Sequence, residues 1–233
     1  MLDFSPWNAL LQQYVNDAGC VHYSAWQEES LESLKSWLVK VESLDLPTSC
    51  PSEVQLAYWI NLYNAGVIFQ VLERYPIASI FPRFFNIPNG LSFWRFFSRR
   101  ILSQGRYSLN QIEHQILRRK FQEPRIHFAL VCAARGCPLL RNQAYYPDTV
   151  FEQLEADALR FIQNPQKVRY DSVTHTLYCS KILKWYGKDF LNVAPSVPDY
   201  LHRYLQPEIT WDTQPRLVYL EYDWSLNQQS FSP

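Results

Sequence analysis

Residues 112–140 constrain this chain more than any other stretch. They read IEHQILRRKFQEPRIHFALVCAARGCPLL and join a helical pattern, an apolar run and a tight turn, carrying a carboxylate, two histidines and two cysteines. Ser108 with Gln111 three residues later is a capping box, after which Leu109, Ile112, Ile116 and Leu117 recur at helical spacing. At about 100° per residue, Glu113 falls inside that apolar arc and His114 at its edge. A carboxylate aimed at a core is costly without a partner, so Glu113 is expected to touch a cation, a hydroxyl or a ring N–H.

Pro124 ends the helical section. Ile126 to Ala133 is then an almost unbroken apolar run, the pattern of a strand covered on both faces, with His127 at its start. The run stops at Ala134-Arg135-Gly136-Cys137-Pro138. Gly136 permits a sharp turn. Pro138 is favoured at the first position of a helix, which would put Cys137 at the N-cap, beside free N–H groups and the positive end of a helix dipole. Cysteines so placed have pKa values of roughly 3.5–7.5, against about 8.5 for a free thiol.

The surrounding chain is that of a packed protein. Its 233 residues allow a full core, and aromatic residues make up 16%. Lys plus Arg and Asp plus Glu both number 22, so no net charge draws the chain to nucleic acid or an anionic membrane. Five cysteines, an odd number without tight spacing, read as reduced thiols in a cytoplasmic protein. No basic region followed by an apolar run opens the chain, so no signal peptide is expected, and no apolar segment is long enough to span a membrane.

Residues 5–45 show two apolar helical faces, with Val21-His22-Tyr23 as an extended piece between them, and 44–51 read as a loop. Ser52 and Gln55 form a second capping box opening a helix to about Tyr75. That helix is apolar nearly all round, so it should be central, and Asn61 and Asn64 interrupt it. Buried amides need partners: either neighbouring backbone, or a catalytic side chain or oxyanion. Residues 79–100, SIFPRFFNIPNGLSFWRFFSRR, form a basic aromatic stretch of a kind that can lie on a membrane or stack on bases; the preferred reading is a loop whose rings fill the core beneath it, a lid over a pocket being one version. A short hairpin over 101–107 follows. Asp148 or Thr149 caps a helix to Ile162; 168–171 and 176–180 form a hairpin; 182–190 and the stretch after Pro198 are short helices; 217–222 is a last strand, and the tail beyond Asn227 is loose. The fold class is α+β: a helix-rich N-terminal half packed on a small β-sheet.

Cys137 is the most specific chemical candidate. A nucleophilic cysteine needs a lowered pKa and a base, which His127 or His114 would supply, with Glu113 or an asparagine orienting the ring. A straight strand from His127 to Cys137 would span roughly 30 Å, so those two meet only if the chain folds back. The competing reading is a buried structural thiol. A metal site drawn from His114, His127, Cys132, Cys137 and Cys179 is the weaker option, because neither Cys-x-x-Cys nor His-x-x-x-His occurs. His22, His175 and His202 read as surface or core-edge residues without partners, and no cofactor is expected.

WINLYNA at 59–65, LNQIEHQILR at 109–118, IHFALVCAARGCPLL at 126–140 and YLEYDWSLN at 219–227 resemble domain-of-unknown-function family 547. The resemblance runs from about Ser52 to Asn227 and leaves residues 1–50 as an N-terminal helical extension of one domain. It implies a domain similar to papain-like or transglutaminase-like cysteine enzymes, in a permuted papain-like arrangement. By position it matches Cys137 to the Gly-Cys-Pro motif, His127 to the histidine opening the strand, Glu113-His114 to the Glu-His pair, and Asn61 and Asn64 to Asn-x-Tyr-Asn. Leu139 departs from it where a second proline is expected.

The expectation is a cysteine-dependent hydrolase or acyl transferase for an amide, peptide or γ-glutamyl-type substrate. Cys137 is the nucleophile, His127 or His114 the base, Glu113 the orienting group, and Asn61 or Asn64 the oxyanion donor. The alternative is a non-catalytic peptide- or protein-binding module in which the same Cys/His/Glu network is structural and the aromatic stretch 81–97 holds the peptide or partner.

Overall fold

The computed structural model describes residues 2–44, 49–84, 87–100, 102 and 106–229. Its architecture is the expected α+β: up to residue 162 mostly helices with one two-stranded pair, then a three-stranded sheet with short helices around it. Helix α1 (Ser5–Tyr14) buries Trp7, Leu10, Leu11 and Tyr14, and α2 (Tyr23–Glu42) buries Leu34, Trp37, Leu38 and Val41. Trp7 stacks on Trp37 at 5.6 Å between ring centroids. Val21, between these helices, bridges both Val15 and Gln228, while Tyr23 is already helical.

Helix α3 (Ser52–Leu72) is buried on nearly every side, as its unbroken apolar surface requires. Its expected capping box does not form. Pro51 holds the cap position, the Ser52 hydroxyl turns to Glu53, and the Gln55 amide donates to the Cys50 carbonyl. The helix also stops short of Tyr75. Residues 79–100 are more regular than a loop. Strands β1 (Arg83–Phe84) and β2 (Ile87–Pro88) pair, and α4 (Gly90–Ser98) follows, capped by the Asn89 side chain accepting from Ser92 N–H. Phe93, Phe96 and Phe97 stand three and four apart, the spacing that gives α4 one apolar face. Leu102 and Tyr107 exchange both backbone hydrogen bonds, forming the expected hairpin pair. The rest of that turn (101 and 103–105), like part of the 44–51 loop, lies outside the described residues.

Residues 109–121 are helical throughout, but in three registers: α-helix Leu109–Gln111, π-helix Ile112–Leu117 and α-helix Arg118–Phe121. The Ser108–Gln111 capping box is present with both of its hydrogen bonds.

The expected strand at 126–133 is absent. A 3-10 helix (Pro124–Phe128) takes its place, followed by irregular backbone. That backbone finds partners outside any ladder. Asn64 donates from Nδ2 to the Ala129 carbonyl and accepts from Val131 N–H, each at 3.0 Å, and Asn227 N–H donates to the Ala133 carbonyl. The run is apolar because it threads the core, and periodicity does not distinguish that from a buried strand. No helix follows Cys137. Its N–H closes a turn onto the Ala134 carbonyl, and residues 138–149 run irregularly, fixed where Arg141 and the Tyr145 hydroxyl meet buried Asp157.

After the helix Val150–Ile162, strand β3 (Val168–Asp171) pairs antiparallel with β4 (Thr176–Cys179), and β5 (Arg216–Tyr219) lies parallel beside β4. The short helices Ile182–Trp185, Gly187–Leu191 and Val197–His202 complete a second core around the sheet, next to the larger helical one. Of the tail expected to be loose, Gln228 bridges Val21 and Gln229 N–H donates to the Val21 carbonyl, while residues 230–233 lie outside the described residues.

Candidate functional site

Between the two cores lies a cavity of about 480 Å³. Glu113, His114, His127 and Cys137 all line it, so the fold brings together four of the six residues singled out in the sequence. The π-helix places Glu113 and His114 on one wall. Widened turns of this kind often mark functional sites, since they reorient side chains that a regular helix would spread around its axis. Glu113 is buried and its carboxylate accepts from two hydroxyls, Tyr63 at 3.0 Å and Tyr186 at 2.5 Å. This is the hydroxyl partner anticipated for a carboxylate inside an apolar arc. Burial raises the pKa of both tyrosines, so both remain donors at neutral pH.

His127 is buried in the 3-10 turn, with its ring stacked on Tyr186 at 3.9 Å. Its Nε2 lies 2.7 Å from Asp189 Oδ2. A carboxylate only accepts, so Nε2 carries the hydrogen and Nδ1 is the lone-pair nitrogen of the neutral ring. Burial favours that neutral form by pushing the ring's pKa down, against the opposing pull of the Asp189 hydrogen bond. Asp189 is anchored by a two-pronged bond from Arg118, Nε at 2.6 Å and Nη2 at 2.8 Å. Burial would push its carboxyl up, but the hydrogen bonds from Arg118 and His127 outweigh that and hold it well below the usual carboxylate range. The third Arg118 nitrogen, Nη1, donates to His114 Nδ1 at 2.8 Å. Since Arg has no acceptor, the His114 tautomer bears its hydrogen on Nε2, which stands 4.0 Å from Glu113.

Cys137 and Cys132 are joined by a disulfide across the turn, with Cα atoms 6.3 Å apart. This corrects the reading of all five cysteines as reduced thiols; Cys20, Cys50 and Cys179 are free. A five-residue separation spanning a turn brings two sulfurs together, a cue that an odd cysteine count hides. Cys137 Sγ also accepts from the Cys132 N–H at 3.0 Å and from the Tyr222 hydroxyl at 3.1 Å. These donors replace the helix dipole expected there. Burial raises the pKa of Tyr222 and keeps its hydroxyl protonated. The turn is tightly drawn: Ala133 holds φ +62°, a left-handed conformation costing about 1–2 kcal/mol for a residue with a Cβ. Gly136 packs so closely that a Cβ would lie 2.8 Å from the Tyr222 ring.

Asn61 and Asn64 sit apart from these groups. The Asn61 amide donates to the Tyr145 carbonyl and accepts from Tyr145 N–H and from Trp7 Nε1–H. Asn64 is committed to Ala129 and Val131. Neither lines the cavity; each amide donates one hydrogen to, and accepts at its oxygen from, the segments it holds together. Burial pushes the Cys179 thiol up to about 12, far from a reactive thiolate. His175 and His202, read as partnerless, bond Tyr170 and the Ile209 carbonyl respectively, and His22, read the same way, is not without a partner either.

Sequence reasoning missed Tyr222, Tyr186, Asp189 and Arg118. Tyr222 lay in view, within the late motif YLEYDWSLN. Asp189 comes from a helix with no chemical pattern of its own. The cavity mouth is aromatic: Phe93 packs edge-on to Trp224 at 5.1 Å, Trp185 stacks on Trp224 at 5.8 Å, and Trp94 is exposed. Phe96 instead points into the core beneath α4.

Residues 47–162 match a family model described as "Protein of unknown function, DUF547", the family to which the motifs pointed. The match takes in Cys132, Cys137, His127, His114 and Glu113, whereas Asp189 and Tyr222 lie beyond it. No curated protein and no solved structure matches the chain. Among the described residues, no helix is long and apolar enough to cross a membrane.

Proposed function

We propose that this chain is a cysteine-dependent hydrolase or acyl transferase acting on an amide, peptide or γ-glutamyl-type substrate, with Cys137 in its reduced form as the nucleophile. The observation that carries this reading is the seating of Cys137 Sγ. It takes hydrogen bonds from Cys132 N–H and from Tyr222, on the wall of a cavity shared with two histidines. Both donors favour a thiolate over a thiol. In the proposed reaction the thiolate adds to the substrate carbonyl, forming the S–C bond. The charge that develops on oxygen is met by the same N–H and hydroxyl donors. His127, oriented by Asp189, takes the Cys137 thiol proton on Nδ1 and passes it to the departing amine as the C–N bond breaks. Water or an acceptor amine, losing a proton to His127, then attacks the thioester carbonyl, and the S–C bond breaks to return the Cys137 sulfur and its proton. Asp189 thus takes the orienting part first given to Glu113. Glu113 instead positions Tyr186, against which the His127 ring lies. A reducing compartment, the cytoplasm, suits a working thiol.

The test is the rate of iodoacetamide alkylation of Cys137 against pH in the reduced protein, compared with His127→Ala and His114→Ala. The expected result is an apparent pKa well below that of a free thiol, about 8.5, which rises in one histidine variant. A reduced, folded protein whose Cys137 titrates as a free thiol in all three forms overturns the proposal.

The aromatic mouth supports a second reading, a non-catalytic peptide-binding module. That reading expects ordinary Cys137 reactivity, with peptide capture lost in Phe93→Ala or Trp94→Ala.

A further inference from the structure

The Cys132–Cys137 bond ties up the sulfur that the proposed reaction needs, and its surroundings differ from those of a structural staple. From these we infer that the disulfide is a reversible latch on the site, opened by a dithiol that reaches it through the cavity. The inference rests on the reading of Cys137 as the nucleophile.

Three features support it. First, the turn is held in place without the bond. Asn64 clamps Ala129 and Val131; Arg135 N–H donates to the Ser225 carbonyl, Gly136 N–H to the Asp223 carbonyl, and Asn227 N–H to the Ala133 carbonyl. A ring closed over a separation of five residues also restrains little of the unfolded chain. Breaking it would leave the fold intact. Second, both cysteines line the cavity, and Cys132 is the more exposed of the two. An incoming thiolate therefore meets the Cys132 sulfur, and Cys137 is the leaving group. Third, that leaving group departs onto donors already aimed at it, Cys132 N–H and the Tyr222 hydroxyl. Tyr222 Oη also stands 3.4 Å from Cys132 Sγ, so a single hydroxyl attends both sulfurs.

The step balances. A thiolate of the dithiol attacks Cys132 Sγ, forming a mixed disulfide and expelling the Cys137 thiolate. The second thiol of the reductant, giving its proton to solvent, then attacks its own sulfur in that mixed disulfide. This closes the reductant to a disulfide and expels the Cys132 thiolate, which takes up a proton. Two electrons pass from the dithiol to the pair. The reverse sequence, with an oxidised dithiol as acceptor, closes the latch.

The experiment equilibrates the full chain in mixtures of reduced and oxidised dithiothreitol, traps free thiols with N-ethylmaleimide, and reads the peptide bearing both cysteines by mass spectrometry. Circular dichroism follows the fold. In parallel, Cys137 alkylation by iodoacetamide is timed at pH 7 in the wild type before and after reduction, and in Cys132→Ser without reductant. The expected result is a single two-electron transition between disulfide and dithiol with unchanged circular dichroism. Alkylation should be at least about tenfold faster after reduction, with Cys132→Ser reacting fast from the start. The inference is overturned if both thiols stay free under oxidising conditions, if reduction unfolds the chain, or if folded Cys132→Ser is no more reactive than the oxidised wild type. Should Cys132→Ser not fold, the wild-type transition decides alone. A latch that opens and closes while no acyl transfer appears supports the latch and counts against the hydrolase reading only.

Discussion

His127 Nε2 and Asp189 Oδ2 lie 2.7 Å apart, and the same carboxylate oxygen takes the Arg118 Nε hydrogen at 2.6 Å. Through Arg118 this pairing extends to His114, so one guanidinium sets the orientation of both histidines in the cavity. The planar fork of arginine makes that possible; an ammonium offers no such fixed geometry.

The pairing has a signature in stability against pH. Burial depresses the His127 pKa, whereas the ring in the unfolded chain titrates near 6.5. As pH falls, the unfolded chain takes the proton first. The contribution of His127 is therefore complete above about 6.5 and lost below it. Asp189, held below the usual range by Arg118 and His127 despite its burial, contributes fully above about 3.9 and loses that contribution at lower pH. Urea midpoints measured from pH 8 to 3 should fall in two stages. The difference between wild type and His127→Gln should isolate the upper one. A difference that stays constant between pH 7.5 and 5 would contradict the assigned direction for His127.

Glu113→Gln tests the buried carboxylate. Glu113 offers two acceptor oxygens to two tyrosine hydroxyls, and glutamine replaces one of them with an N–H₂ facing a donor. The expected loss is about 1–3 kcal/mol, the usual cost of a buried polar group left without its partner. Urea unfolding measures it. Since Tyr186 stacks on His127, reduced Cys137 should also show an altered alkylation profile in this variant if that ring belongs to the site. A variant as stable as the wild type would mean the tyrosines do not depend on the charge.

What the sequence revealed depended on how local each signal was. The inward phase of Glu113 follows from the spacing of Leu109, Ile112, Ile116 and Leu117, and its hydroxyl partners followed from the cost of burying a charge. The widened π-turn that sets it beside His114 left no trace in that spacing. The run from Ile126 to Ala133 was correctly read as buried and wrongly read as a strand, because hydrophobicity reports burial and not which group accepts each hydrogen bond. In this case the acceptor and donor belong to Asn64, more than sixty residues earlier. Asp189 meets His127 and Tyr222 meets Cys137 from more than sixty residues further along the chain, and a long-range meeting of that kind has no periodicity. The cysteine pair was hidden by its count: five suggests no framework, although two of them flank a turn.

Gly136→Ala tests the close approach rather than a backbone angle. A Cβ there would stand 2.8 Å from Tyr222 Cε1 and 2.9 Å from the Asp223 carbonyl oxygen. Gly136 N–H is already bonded to that oxygen at 2.7 Å, so the backbone has little room to retreat. Overpacking of this order costs about 1–3 kcal/mol. The melting temperature should drop, and displacement of Tyr222 should raise the apparent pKa of reduced Cys137 in the alkylation assay. An unchanged melting temperature would show that the turn yields without strain.

Asn64→Ala separates support of the site from membership of it. Its amide satisfies the Ala129 carbonyl and the Val131 N–H, two buried backbone groups that have no ladder to bond. Removing it should cost about 1–3 kcal/mol for each group left unpaired, an amount large beside the net stability of a typical domain. The loop it releases leads directly into Cys132, so the Cys132 N–H should shift relative to the Cys137 sulfur. The reduced thiol should then titrate closer to a free one, although Asn64 touches neither sulfur. Asn64→Asp is the sharper comparison. It keeps an acceptor for Val131 N–H but sets a carboxylate oxygen against the Ala129 carbonyl, so it should be at least as destabilising as alanine. Urea midpoints and Cys137 alkylation profiles of the two variants, taken together, decide the matter. If stability falls while the alkylation pKa stays at its wild-type value, the clamp serves the core alone and the seating of Cys137 depends on Tyr222 and the 223–227 segment instead.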